Sequence, residues 1–390
     1  MALKNNTWKV NQWYDQAVAG NVSYSGAPAF YAWGKNDYGN LGQNNETRYS
    51  SPTQIPGTTW DGDNICLAGD RSIARKTDGT LWAWGSASWG KLGQNNNTPH
   101  SSPVQIPGTT WSSIMDINNG SYVSGALKTD GTLWLWGKNE YGVLGQNEAP
   151  SPSVKGYSSP AQIPGTTWSS GTCDRNISGA VKTDGTLWAW GYNEWGGMAQ
   201  NNTSNDYSSP VQIPGTTWAL CSTGGSSFVA TKTDGTLWTW GKNEYGQIGN
   251  NDGGIGKGIS SPTQIPGTTW SKAFTHSGAM CAIKTDGTLW VWGANDNGKL
   301  GQNEATPVRR SSPTQVPGTN WSAVEMGVQQ TIATKTDGTL WSWGYNAHGA
   351  LGLNQGPGQL AAASSPTQVT GSWKAKLTAG SYIGGAIGNI

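Results

Sequence analysis

One heptapeptide constrains this chain more than any other feature. Lys-Thr-Asp-Gly-Thr-Leu-Trp occurs six times, beginning at Lys76, Lys128, Lys182, Lys232, Lys284 and Lys335. Each copy runs into Trp-x-Trp-Gly, whose second tryptophans are Trp84, Trp136, Trp190, Trp240, Trp292 and Trp343. Tyr31-Ala32-Trp33-Gly34 is a seventh, altered version, and from Trp33 onward these tryptophans lie 51, 52, 54, 50, 52 and 51 residues apart. Each unit then carries a Gly/Asn-rich stretch such as Leu41-Gly42-Gln43-Asn44 and a Ser-Ser-Pro-x-Gln segment. Pro-Gly-Thr-Thr-Trp or a variant follows, ending at Trp60, Trp111, Trp168, Trp218, Trp270, Trp321 and Trp373. Of the 24 tryptophans, 20 sit at these three positions, and Trp8, Trp13, Trp89 and Trp195 do not. A period of this length marks a repeat architecture.

Each unit reads as strands. Asp-Gly is a hairpin signal and predicts a type I′ turn, with positive φ at both central residues. Apolar stretches such as Tyr122–Leu127 precede it, and Leu133-Trp134-Leu135-Trp136 supplies the β-prone aromatics after it. Pro-Gly pairs mark further turns, and no sustained 3.6-residue apolar period argues for helices. Units of about 50 residues with four short strands each are propeller blades. The expected fold is all-β: a seven-bladed β-propeller over residues 30–390, closed by its N- and C-terminal segments. Gly380–Ile387 matches Gly120–Leu127 and stops where Asp-Gly-Thr-Leu-Trp should follow, so Tyr31–Gly34 is expected to complete that blade. Residues 1–29 form a separate N-terminal segment, for attachment or as an extra strand, because Ala19–Ala27 is a shortened version of the same strand. A lone blade exposes both faces, so the units should be stable together and weak apart. Indole stacking between adjacent sheets is the expected contact, each ring burying ~150–250 Å².

Composition narrows the partners. With 24 Lys+Arg against 23 Asp+Glu and a net charge of +1, the footprint for a nucleic-acid backbone is missing. No apolar run approaches the ~18 residues of a membrane span, and the segment Met1–Trp8 lacks the apolar core of a secretory signal. Cys66, Cys173, Cys221 and Cys281 are each isolated and read as small buried hydrophobes, not as metal ligands or a disulfide framework.

The run Ala126–Gly137, continued by Asn139, Gly142, Leu144 and Gly145, resembles the regulator of chromosome condensation repeat. The resemblance covers residues 30–390 and implies a seven-bladed propeller. The family's founding activity is nucleotide exchange on a nuclear small GTPase, with nucleosome binding. Family repeats usually place a histidine before the Asp-Gly turn, whereas the aligned positions here hold Arg71, Val123, Ile177, Ser227, Ala279, Gln330 and Ile383. With no wedge insertion or basic tail either, exchange is not expected. The near-verbatim repeats are also similar to those of structural proteins of bacterial viruses, which implies a virion-surface role.

A search for chemistry returns scaffold residues. Asp78, Asp130, Asp184, Asp234, Asp286 and Asp337 belong to the hairpin turn. His100, His276 and His348 occupy three different repeat positions and read as surface or satisfied imidazoles. Asn36, Asn139, Asn193, Asn243, Asn295 and Asn346 precede turns, where an amide bonds nearby backbone. The glycine-rich stretch 252–258 lacks P-loop spacing. No catalytic, cofactor or metal residue is assigned, and no channel-facing acid pair is visible. What differs between repeats is the segment before Ser-Ser-Pro, and loops on a rigid scaffold are free to carry recognition. The candidate recognition residues are Arg48, Tyr49, His100, Tyr157, Tyr207, Lys257, Arg309 and Arg310. The expected function is a non-enzymatic propeller on a phage particle, a tail-fibre adhesin or an outer decoration. Its partners would be other virion proteins or a host-surface glycan or protein, with no nucleic acid and no membrane insertion. The alternative is a bacterial protein-interaction scaffold in the cytoplasm.

Overall fold

The computed structural model describes residues 29–57, 59–117, 122–148, 156–254, 257–304, 308–380 and 382–389. The N-terminal segment to residue 28, with the competing strand read at Ala19–Ala27, lies outside the described residues. Strand order within each sheet follows the chain from the centre outward: in blade 1, Trp60–Leu67, Arg71–Lys76, Leu81–Gly85 and His100–Ile106. Blades 2 to 6 begin in the same way at Trp111, Trp168, Trp218, Trp270 and Trp321. Blade 7 is composite: Ser372–Gly380 and Ile383–Asn389 are followed by Ala29–Gly34 and Tyr49–Gln54. Ala29 faces Gly388 and Gly34 faces Ile383, so both ends of the chain close a seven-bladed ring. Single 3-10 turns such as Ser88–Gly90 and Glu140–Gly142 are the helical elements among the described residues.

The hairpin turn differs from the expected type I′. Gly79 N–H donates to Lys76 O at 3.0 Å and Lys76 N–H to Thr80 O at 2.8 Å, which leaves a three-residue loop. Gly79 has φ +82°, while Asp78 stays at negative φ. This is a type I turn closed by a glycine bulge. Its cause is the aspartate, whose Oδ1 accepts from Thr80 N–H (2.9 Å) and from the Thr80 hydroxyl (2.6 Å). Thr80 Oγ1 in turn accepts the Trp82 indole N–H at 2.8 Å. The Asp–Thr–Trp chain recurs in all six copies, down to Asp337, Thr339 and Trp341. It explains why the motif reads Asp-Gly-Thr-x-Trp.

Two joints recur at every seam between blades. The second tryptophan of each blade donates its indole N–H to a carbonyl of the preceding blade: Trp84 to Asn40 (3.0 Å), Trp190 to Val143 (2.8 Å), Trp343 to Lys299 (2.8 Å). Trp33 closes the ring in the same way, donating to Ala350 O at 3.0 Å. The glycine of Leu-Gly-Gln-Asn is needed here, because a Cβ on Gly42 would lie 2.9 Å from Trp84 Nε1. The second joint uses the asparagine of the same motif. Asn44 N–H donates to Ser101 O (2.9 Å) and Ser102 Oγ donates to Asn44 Oδ1 (3.1 Å). Its last counterpart joins Asn354 to Ser50 and Ser51. Ser-Ser-Pro is thus a latch.

The expected stacking of indoles between sheets is corrected by this geometry. The tryptophan pairs lie within one sheet, Trp60 against Trp82 and Trp84 at centroid distances of 6.5 and 5.8 Å. Across the seam no indole pairs with another among the described residues: Trp84 shares a cluster with Leu41 and Ile55 of blade 7 and meets Phe30 edge-on at 6.5 Å. The buried indole N–H needs an acceptor, and a carbonyl of the neighbouring loop supplies it.

Candidate functional site

Antiparallel order puts the Asp-Gly and Pro-Gly turns on one face of the ring. The first-to-second strand turns and the long third-to-outermost loops emerge on the other. On this loop face one position per blade displays a side chain that does not belong to the repeat: Tyr38, Trp89, Tyr141, Trp195, Tyr245, Asn297 and His348. The glycine after each explains the display. A Cβ on Gly90 would lie 2.3 Å from Ser158 Cα, and one on Gly142 2.6 Å from Ser208 Cα, so the turn is pressed against the next blade's outermost strand. Trp89, Tyr141 and His348 hold φ values of 62°, 57° and 59°, in the left-handed region that bulky residues rarely enter. Tyr38 and Trp89 are 47% and 41% exposed. Cations flank the crown: Lys138 Nζ lies 5.4 Å from the Trp89 ring centroid, Lys242 Nζ 4.9 Å from Trp195, and the Arg309 guanidinium 4.6 Å from Tyr245.

The residues singled out from the sequence are distributed around this crown. Tyr49, His100, Tyr157, Tyr207 and Arg310 share one register position, each opposite the glycine of Trp-Gly in its own blade. The structure thus brings them to equivalent places around the rim. The Tyr157 hydroxyl donates to Glu148 at 2.7 Å, and Arg310 Nη2 donates to both Glu304 carboxylate oxygens at 2.8 and 2.9 Å. Tyr49 and Tyr207 accept from Asn45 and Asn202 of their own loops. Arg48 pairs with Asp37 at 2.8 Å, beside Tyr38. Burial would raise the Asp37 carboxyl, but hydrogen bonds and charge from Arg48 and Lys35 hold it below its usual range. Lys257 pairs with Asp252 at 2.5 Å. Arg309 reaches the preceding blade's crown. Sequence reasoning passed over the crown itself, although Trp89 and Trp195 stood out as tryptophans away from the repeat positions.

The other groups belong to the scaffold. Arg71 and Gln330, at the aligned histidine position, cross seams: Arg71 Nε donates to Ser124 Oγ (3.0 Å) and Gln330 Nε2 to Gly380 O (2.5 Å). Asn36 Oδ1 accepts Leu41 N–H at 2.8 Å inside its own loop, and its counterparts repeat this, which is the expected structural role. His276 is buried, and burial together with the charge of Lys299 pushes its imidazole down to about 3. Lys91 and Lys299 occupy one repeat position and are pushed down to about 8 by burial, against the pull of Asp70 and Asp296. The innermost strands enclose a channel cavity of ≈ 290 Å³. Asp63 and Glu325 line it from blades 1 and 6, and Asp116 from the short strand Asp116–Ile117 that pairs with Thr172 and Cys173 of blade 3, acidic groups that the sequence reading had not placed there. The Ser222 hydroxyl donates to Asp116 Oδ2 at 2.9 Å. Burial pushes the Cys66 thiol up to about 12 and raises those of Cys173, Cys221 and Cys281, so none is a ready nucleophile.

Repetition of the same joints at every seam defines a repeat propeller. The chain belongs to the family of the Regulator of chromosome condensation (RCC1) repeat, whose model matches residues 29–60, 78–127, 234–279, 286–334 and 337–386. It is similar to the Ultraviolet-B receptor UVR8 of Arabidopsis thaliana, 25% identical over 338 residues that cover 83% of this chain and 74% of the receptor. The mitochondrial RCC1 domain-containing protein RUG3 of the same plant is 27% identical over 282 residues, 70% of this chain and 52% of RUG3. The human E3 ubiquitin-protein ligase HERC2 is 30% identical over 136 residues, 34% of this chain and 3% of the ligase. The chain thus spans a small fraction of HERC2 and about half of RUG3. Among solved structures, Prp20p of Saccharomyces cerevisiae superposes with TM-score 0.77 at 18% identity, covering 93% of this chain and 92% of that one. Human WBSCR16 gives 0.78 at 19%, covering 93% and 99%. These two establish the fold. None of these five proteins is a virion component, so the virion-surface expectation draws no support from them. Among the described residues no helix is long and apolar enough to cross a membrane.

Proposed function

We propose that this propeller is a non-enzymatic scaffold that binds a protein partner on its loop face, with residues 30–390 as the binding domain and residues 1–29 as its attachment. The observation that carries the reading is the crown: exposed or half-buried aromatic side chains at one position of successive blades, Trp89 and Tyr141 among them held at strained φ, with Lys and Arg over the Trp89, Trp195 and Tyr245 rings. Tyr, Trp and Arg dominate the energetics of protein interfaces, and a closed ring loses little freedom on binding. The solved Prp20p is described by its binding to Gsp1p and histones, which supports a protein-binding role for a propeller of this shape. The buried or paired state of the thiols, His276 and the turn aspartates supports a binder over an enzyme. Nucleotide exchange is not part of the proposal. The test is site-specific photo-crosslinking in the native cell from Tyr38 and Tyr245, compared with the opposite-face residue Thr109. A discrete partner captured from the crown positions and lost in Trp89→Ala/Trp195→Ala is expected; equal capture from Thr109 would overturn the reading. The virion reading rests on the near-verbatim repeats alone, and stoichiometric recovery with purified particles would favour it.

A further inference from the structure

A different part of the surface repeats without variation. At the seam of blades 1 and 2 lies a cleft of ≈ 280 Å³, walled by Trp111, Lys128 and Trp134 on one side and Gln94, Asn95 and Pro107 on the other. At the seam of blades 5 and 6 the equivalent residues, Trp321, Lys335, Trp341, Gln302, Asn303 and Pro317, wall a cleft of ≈ 510 Å³. Six of the seven seams carry the Trp, Lys, Trp, Asn and Pro of this set. The seventh departs from it: Leu353, Gly388 and Tyr31 stand where the others have a polar amide, the lysine and the outer tryptophan.

Much of the surrounding motif is consumed by the scaffold, through the Asp–Thr–Trp turn and the Asn–Ser latch. Three features of the cleft are not. The lysine lies over two indoles, Lys128 Nζ 5.0 and 4.2 Å from the Trp111 and Trp134 ring centroids, and Lys335 Nζ 4.8 and 4.7 Å from Trp321 and Trp341. Neither ammonium forms an ion pair among the described residues; the nearby Asp130 and Asp337 bond their threonines and feel the lysine charge from beyond contact distance. The Asn95 and Asn303 carboxamides accept the latch through Oδ1, which leaves Nδ2 to donate elsewhere. Trp134 and Trp341 are half-buried and present indole surface to the cleft. Each cleft therefore combines an apolar aromatic wall, a cation in no direct ion pair and an amide donor.

We infer that the six clefts are equivalent binding sites for a carboxylated pyranose, whose ring lies against the outer tryptophan and whose carboxylate is held by the lysine. A sugar ring has an apolar C–H face that suits an indole, and a carboxylate with hydroxyls uses both donors. Sixfold repetition then turns weak single contacts into avidity for an acidic polysaccharide. This proposal does not depend on the crown, which lies on the other face.

The experiment titrates the full chain with trigalacturonate, using neutral galactotriose as the control, and counts bound ligands by native mass spectrometry. Six trigalacturonates per chain are expected, with galactotriose at least tenfold weaker and binding reduced by salt. Lys128→Met/Lys335→Met keeps the aliphatic packing on the indoles and should lower the capacity from six to four. Lys128→Arg/Lys335→Arg should retain six, which keeps the test valid if the methionine variant is unstable. Absence of binding at millimolar sugar, equal binding of galactotriose, or a capacity that the methionine variant leaves unchanged would each overturn the inference. So would a mononucleotide that displaces the sugar from all six sites at lower concentration.

Discussion

Ala199 occupies the place that glycine holds in the other six copies of Leu-Gly-Gln-Asn, and it does so at φ 51°. Its counterparts Gly42, Gly145 and Gly301 sit at 69°, 65° and 67°, where a Cβ carries a cost of about 1–2 kcal/mol. Ala199→Gly is therefore expected to raise stability by up to about 1 kcal/mol, after the entropy that glycine adds to the unfolded chain. The denaturant midpoint would show it, and Gly145→Ala should move the same midpoint the other way. His276 gives the residue scale its pH signature. The unfolded chain takes up a proton below about pH 6.5, while the buried imidazole, beside Lys299, resists protonation down to about 3. Folding stability should then fall as the pH drops from 6.5 toward 3. His276→Gln should flatten that slope in urea titrations across this range. Neither effect was legible in the sequence, where Ala199 is one small residue among many and His276 gives no sign of its burial.

At the level of the strand and its turn, Trp190 joins two roles. It is fully buried, and it supplies the N–H that reaches Val143 of the preceding blade. Trp190→Ala should cost about 3–5 kcal/mol through the cavity. Trp190→Phe keeps much of the apolar area and leaves the Val143 carbonyl to the Ser178 hydroxyl (3.0 Å) alone, so about 0.5–1.5 kcal/mol is expected. Thermal unfolding of the two variants separates packing from the hydrogen bond; equal losses would refute that division. The hairpin itself was legible from Asp-Gly, but its type was not. The same dipeptide serves a two-residue loop and a three-residue loop with a bulge, and Thr80 tips the balance by binding the aspartate. The Ser-Ser-Pro and Gly-Gln-Asn motifs were visible as repeats without a purpose, because their partners belong to different units and lie about 60 residues apart, as Ser102 and Asn44 do (|i−j| = 58).

The whole ring depends on one composite blade. Removing residues 373–390 takes away the two strands on which Ala29–Gly34 lies and exposes blade 6 at the seam. That truncation should open the ring and make the chain aggregate, as size-exclusion chromatography with light scattering would report; a soluble monomer of normal melting temperature would contradict closure by that segment. The sequence by itself determined the period, the number of blades, the β class and the way the two ends meet, because periodic hydrophobic and turn residues encode local structure in every unit. Only the tertiary structure decided what holds one blade to the next, which carboxylates enter the channel, and which side chains stand clear on the loop face. Those properties arise where one repeat presses against another, and a periodic motif does not itself say which other motif it meets.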